Sequence, residues 1–279
     1  MYKVSSKLNL FAFVLMGLGI IATVIGFMNA PGSEDEVREM LANEAAHHGD
    51  DHGAAADTHQ VAGHDAHATG HDEAGEHHGG DHIYHLYHQL SNRPWAALYV
   101  ACFFFFMIGL GVLAFYAVQR AAQAGWSPGL FRVMEGISSY ILPGGILMFV
   151  LLLVSGLHMN HIFVWMNEGI ADPASENYDA LVAGKQGFLN VPFWLFRAGA
   201  FLVGWNLYRW NVRKFSLKQD ESPEGNVWYK KAFKHSAAFL VFFIVTESIM
   251  SWDWIMSFDP HWFSTLFGWY VFASMFVKN

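Results

Sequence analysis

Residues His235 to Ser264 read HSAAFLVFFIVTESIMSWDWIMSFDPHWFS, an apolar run of span length that runs into two carboxylates, a histidine and three tryptophans. About 20 apolar residues in a helix cross the ~30 Å of a bilayer's hydrocarbon core, so the first part reads as a membrane span. Charge beside such a run is costly, and Asp253, Asp259 and His261 sit there together. Two readings stand side by side: a functional site at the membrane boundary, or an interfacial turn with a tryptophan belt and a capping aspartate.

The rest of the chain supports a bilayer as solvent. Of its 279 residues 53% are hydrophobic and only 14% charged, too apolar a balance for a soluble domain of this size. The formal charge of -8 averages over loops of opposite character. Cys102 is the single cysteine and lies inside an apolar run. That excludes a disulfide framework, a Cys-rich zinc or iron–sulfur site and a Cys-x-x-Cys-His haem attachment. A redox metal centre would have to be His-ligated or belong to a partner.

Leu8 to Met28 carries no charge and follows Lys3 and Lys7. It reads as a retained transmembrane anchor rather than a signal peptide, whose apolar core is shorter and whose cleavage site Met28-Asn29-Ala30 would resemble poorly. Residues 29–93 then hold twelve of the 16 histidines among Gly, Ala, Asp and Glu. They read as a soluble loop without a core, with a short helix over Glu34 to Ala46 capped by Ser33. His78, His82, His85 and His88 share a face if Gly80 permits a helix, a spacing suited to zinc, copper or nickel; the alternative is a solvated linker without a dedicated metal.

Four further runs follow at Trp95 to Val118, Ile137 to about Trp165, Val191 to Tyr208 and about His235 to Trp254, and a sixth from Trp262 to Val277. The expected fold is all-α, a polytopic transmembrane helix bundle of six spans with a His-rich loop after the first. The sixth run rises only ~24 Å, so the sequence is expected to stop inside or barely beyond its last helix.

Basic residues orient the spans. Lys3, Lys7, Arg120, Arg132, Arg209, Arg213, Lys214, Lys218, Lys230, Lys231 and Lys234 fall on one side, expected to be cytoplasmic together with the amino terminus. Arg38, Arg93 and Lys185 fall on the other, with Glu168, Asp172, Glu176, Asp179 and the His-rich loop. That side is expected to be the periplasm of a bacterial inner membrane.

On this topology the third span, bent at Pro143, carries His158 and His161 on one face near its periplasmic end. Glu247 lies ~10 Å below that end of the fifth span and Arg197 ~9 Å below it on the fourth, depths that suit an Arg197–Glu247 ion pair. His158, His161, Asp253, Asp259 and His261 converge at one level. Such a cluster suits quinol oxidation, which releases two protons to His or Asp acceptors, or axial ligation of a b-type haem between facing helices. His235 stands alone at the opposite side, which excludes a two-haem wire; it could extend a proton path from Glu247.

The segments Ser251 to Thr265, Asn92 to Val100 and Gly187 to Trp194 resemble the membrane subunits of alternative complex III, a quinol:cytochrome c oxidoreductase. That complex has two related quinone-binding-type integral subunits of the polysulfide-reductase membrane-subunit superfamily. The anchor, acidic segment and His-rich loop are most similar to one of the two. The resemblance implies about ten spans in two four-helix bundles with flanking helices. Here 1–28 would be the tail and anchor, 29–93 the loop, 94–256 the first bundle and 257–279 the turn into the second. It implies multihaem cytochrome c, iron–sulfur and sister integral subunits as partners, often with a haem–copper oxidase, and no nucleic acid. Haem c and iron–sulfur clusters would belong to those partners, with menaquinol or ubiquinol as substrate and no cofactor held by this chain. The resemblance makes the sister subunit the better place for quinol oxidation and gives proton conduction to the subunit that this chain is similar to. Rival expectations are a b-type cytochrome anchor and a metal-handling or scaffolding subunit acting through the His-rich loop.

Overall fold

A computed structural model describes residues 5–48, 78–175, 177–222 and 225–277, and every regular element among them is helical. The chain divides into two units, Met1–Pro94 and Trp95–Asn279. The first holds α1 (Ser6–Met28), α2 (Glu34–His48) and the opening turns of α3 (His78–Ala121). The second holds the rest of α3, then α4 (Pro128–Ser138), α5 (Ile141–Gly156), α6 (Ala180–Gly184), α7 (Val191–Glu221), α8 (Val227–Trp254) and α9 (Phe267–Val277).

Four helical stretches are long and apolar enough to cross a membrane: Ser6–Met28, Leu86–Ala121, Pro128–Gly156 and Val227–Phe258. The 31-residue α7 is long enough but falls outside this group, because Arg197, Asn206 and a basic carboxyl-terminal half lower its hydropathy. α9 is apolar but has only 11 residues, starting at Phe267 rather than Trp262.

In the first unit α1 buries none of its side chains, as a helix built to face lipid all round would. α2 starts where its capping residues are. The Glu36 N–H donates to Ser33 Oγ at 3.4 Å, and Glu36 Oε2 accepts from the Gly32 N–H at 2.8 Å. With Glu34, Asp35 and Glu36 in its first turn, the helix also satisfies its dipole. The backbone is helical through His78, His82, His85 and His88, while the side chains of the first three lie outside the described residues, as does the loop before them.

The third apolar run requires a correction. Its helix begins at Pro128 and ends at Gly156, and it breaks at Ser139 and Tyr140, one turn ahead of Pro143. Pro143 has no N–H to offer the Ser139 carbonyl, so the preceding turn tightens to bonds from Ser139 to Gly136 and from Tyr140 to Ile137. Beyond Gly156 the backbone leaves the helix, and His158 adopts a left-handed φ of 58°. His158 and His161 therefore do not share a helix face.

α7 and α8 run antiparallel, and polar side chains fix their register. Trp194 Nε1 donates to the Asp253 carbonyl at 2.9 Å, Trp205 Nε1 to Thr246 Oγ1 at 3.0 Å, and the Tyr208 and Ser236 hydroxyls pair at 2.7 Å. Phe106, Trp205 and Trp254 interlock between them with ring centroids 5.9 to 6.2 Å apart. Where both solvent and core are apolar, such shape matching and hydrogen bonding hold helices together. Gly204 permits the closest approach, since a Cβ there would lie 2.6 Å from Phe242 Cε1. Gly204→Leu is expected to lower stability by about 1–3 kcal/mol through overpacking, read as a reduced Tm of the purified chain in detergent.

Candidate functional site at the meeting of α7 and α8

The last turn of α8 places Asp253 in the interior, fully buried, and the second turn of α7 brings Arg197, 6% exposed, to meet it. The contact is bidentate, Nε to Oδ2 and Nη2 to Oδ1, each 2.7 Å. Nη2 also donates to the Phe188 carbonyl at 3.0 Å, and the guanidinium lies 4.0 and 4.3 Å from the Phe188 and Phe193 ring centroids. Both Asp253 oxygens are thus held by the planar fork that matches a carboxylate.

The expected Arg197–Glu247 pair is corrected by this contact. Equal depths below two helix ends make a pair only where those ends are level, and here they are staggered. The register that sets Trp194 against Asp253 puts Arg197 beside the last turn of α8, a turn and a half beyond Glu247. Asn190 starts α7 where it does, its side chain accepting from the Phe193 N–H at 3.0 Å with Pro192 in the first turn.

Glu247 is 2% exposed, and its Oε1 has no hydrogen-bond partner among the described residues. On its own helix it is flanked above and below by the buried Met250, Ser251 and Phe243. Ser251 offers it nothing, since that hydroxyl donates to the Ser248 carbonyl at 2.8 Å. A carboxylate so placed differs from Asp253 in having an oxygen free to take a proton.

Past α8 the chain turns back through a single 3-10 turn, Met256–Phe258, and is stapled to the segment around α6. His261 Nε2 pairs with Asp179 Oδ2, and Lys185 Nζ donates to the Pro260 carbonyl. Asp179 also caps α6, accepting from the Leu181 and Val182 N–H groups at 2.8 and 3.1 Å. The Val182 N–H is the largest influence on the Asp179 carboxyl; burial, the next largest, opposes it, and with His261 and the Leu181 N–H added the carboxyl is held below the usual carboxylate range. Asp259 closes its own turn, accepting from the His261 N–H at 3.0 Å.

The five residues expected at one level have different partners and surroundings. Asp253 is inside with Arg197, His261 is outside with Asp179, and Asp259 serves the turn. His158 and His161 are exposed on irregular backbone. His235 is exposed towards the other end of α8, its ring edge-on to Phe215 at 4.8 Å and its Nδ1 2.9 Å from the Lys231 carbonyl. Among the described residues no three His, Cys, Asp or Glu side chains stand close enough to hold a metal. Sequence reasoning missed Asp179, although an aspartate just ahead of Ala180-Leu181-Val182 carries the N-cap signal.

No protein-family model matches the chain, and no curated protein matches it.

Two measurements check these roles. Asp253→Ala strands a buried guanidinium and is expected to cost about 3–5 kcal/mol, whereas the double variant Arg197→Met with Asp253→Leu recovers most of that loss; thermal unfolding in detergent distinguishes them. Because the folded Asp179 carboxyl lies below its unfolded value, the staple contributes fully above the ordinary carboxylate range and is lost as pH falls through the folded value. The protection factors at Leu181 and Val182, which refer observed amide exchange to the intrinsic rate at each pH, are expected to fall on acidification from about pH 5 to 3, and Asp179→Asn to remove that dependence.

Proposed function

We propose that this chain is an integral membrane subunit of a quinol-oxidising respiratory complex of the alternative complex III type, in which Glu247 is a station on a proton path. The observation that carries the reading is a carboxylate buried in an apolar helix of span length, with one oxygen unpartnered among the described residues. Buried ionisable groups in spans are kept for conduction or switching far more often than for stability. The neighbouring Asp253 is already committed to Arg197, and His261 to Asp179. Those pairings favour proton conduction over a quinol-binding cleft at this end.

A path also needs groups on the way. Asn206 on α7 has a buried Oδ1 without a partner among the described residues, and the hydrogen-bonded Tyr208 and Ser236 lie lower still, towards His235. Twelve residues separate Glu247 from His235, ~18 Å along the helix, so water must complete the relay. In this reading α1, α3, the broken α4–α5 pair, α7, α8 and α9 are the six spans, and the arginine- and lysine-rich end is cytoplasmic. The electron carriers, haem c and iron–sulfur clusters, belong to partner subunits, and the sister integral subunit binds the quinol.

The test is made on the intact complex in sealed liposomes. Glu247→Gln is expected to lower the protons released per electron passed from quinol, with assembly unchanged. Unaltered proton stoichiometry and turnover in that variant would remove the reading.

A further inference from the structure

The hairpin that joins α7 to α8 is built around one glutamine. Gln219 Nε2 donates to the Ser222 and Gly225 carbonyls at 3.1 and 2.6 Å, and its Oε1 accepts from the Tyr229 N–H at 2.9 Å. One side chain thus ties the last turn of α7 to the first turn of α8. Phe215 and Trp228 stack across the join, their ring centroids 6.0 Å apart and their planes at 24°.

Two lysines, one from each helix, rest on that indole. Lys218 Nζ lies 4.4 Å and Lys231 Nζ 4.3 Å from the centre of the Trp228 ring, the range in which an aromatic face holds a cation. Sharing one ring, the two ammonium groups are no more than about 9 Å apart. Neither makes an ion pair with any described residue. Asp220, two residues beyond Lys218, is taken by Arg132. The indole holds both cations without neutralising either, and like charges at this separation repel. An anion shared between them would turn that repulsion into attraction.

Depth selects the anion. Phe215 lies ~36 Å along α7 from Val191, and Trp228 ~39 Å along α8 from Trp254. The hydrocarbon core is ~30 Å thick, and headgroups bring the bilayer to ~40–45 Å. With the Val191 and Trp254 ends at one edge of the core, the lysine pair falls in the headgroup layer of the opposite face, where lipid phosphates are. A zwitterionic lipid carries its own cation beside the phosphate and suits two lysines less. We propose that Lys218 and Lys231, held on Trp228, clamp the headgroup phosphate of an anionic glycerophospholipid. The proposal rests on α7 and α8 crossing a bilayer and is independent of the role given to Glu247.

The purified chain in mild detergent is titrated separately with phosphatidylglycerol, phosphatidylcholine and inorganic phosphate, reading Tm and the lipid retained in native mass spectrometry. Phosphatidylglycerol is expected to raise Tm and to be retained, and the other two to do neither. The double variant Lys218→Gln with Lys231→Gln is expected to weaken phosphatidylglycerol retention about thirtyfold, about fivefold for each lysine. Arg38→Gln with Arg93→Gln removes two exposed charges elsewhere and leaves retention unchanged. Trp228→Leu keeps every charge and still loses most of the retention, because nothing then gathers the two ammonium groups. An equal response to phosphatidylcholine or to phosphate, wild-type retention in the lysine variant, or an equal loss in the arginine variant overturns the proposal. Should Trp228→Leu fail to fold, the lysine and arginine variants still decide. Proton release by the complex is not read, so failure here leaves the Glu247 reading standing.

Discussion

A helix that ends in apolar surroundings leaves its last carbonyls without water, and its carboxyl-terminal end carries partial negative charge. The end of α8 meets both demands with side chains from α3, α7 and the turn that follows it. Trp194 and Ser257 donate to the Asp253 carbonyl, at 2.9 and 2.6 Å, and the Tyr99 hydroxyl donates to the Trp254 carbonyl at 2.9 Å. Arg197 brings the compensating cation and takes the Asp253 side chain as well. The Arg197–Asp253 pair and the indole of Trp194 hold α7 and α8 to a single register, which in turn sets Trp205 against Thr246 and Tyr208 against Ser236. Sliding α7 by one turn would bury two charges apart, and that cost is what makes the arrangement unique.

Two acids on one helix illustrate how environment divides labour. Asp253 and Glu247 are equally hidden and six residues apart. The first has every oxygen engaged and cannot accept a proton without releasing Arg197. Among the described residues the second has an idle oxygen and no cation paired with it. Burial alone would rank them together, and hydrogen-bond satisfaction separates them: the satisfied group holds the fold, and the unsatisfied one is available for chemistry.

The same test applies at the arginine-rich end. Glu135 is saturated and ties α3, α4 and α7 together, while Arg209 is left over. At both ends a matched buried charge ties the helices together, and an ionisable side chain with a buried atom unpartnered among the described residues, Glu247 or Arg209, lies near it.

Composition and periodicity alone determined that the chain is helical and apolar enough to enter a membrane, because span length and the exclusion of charge are properties of consecutive residues. The α2 cap was equally legible, since Ser33 and Glu36 act within four residues of one another. The break before Pro143 was legible in kind and misplaced by a turn, because a proline acts on the carbonyl four residues earlier. Which charge meets which was not legible. Depth counting matched Arg197 to Glu247, and only the stagger of α7 against α8, set by indoles reaching across the interface, chose Asp253. His158 and His161 share a face only while a helix continues, and the helix stops at Gly156. Pairing across elements depends on register and on where each helix ends, and those are decided by packing between residues 41 to 82 positions apart, such as Trp205 with Thr246 and Asp179 with His261, beyond the reach of any local pattern.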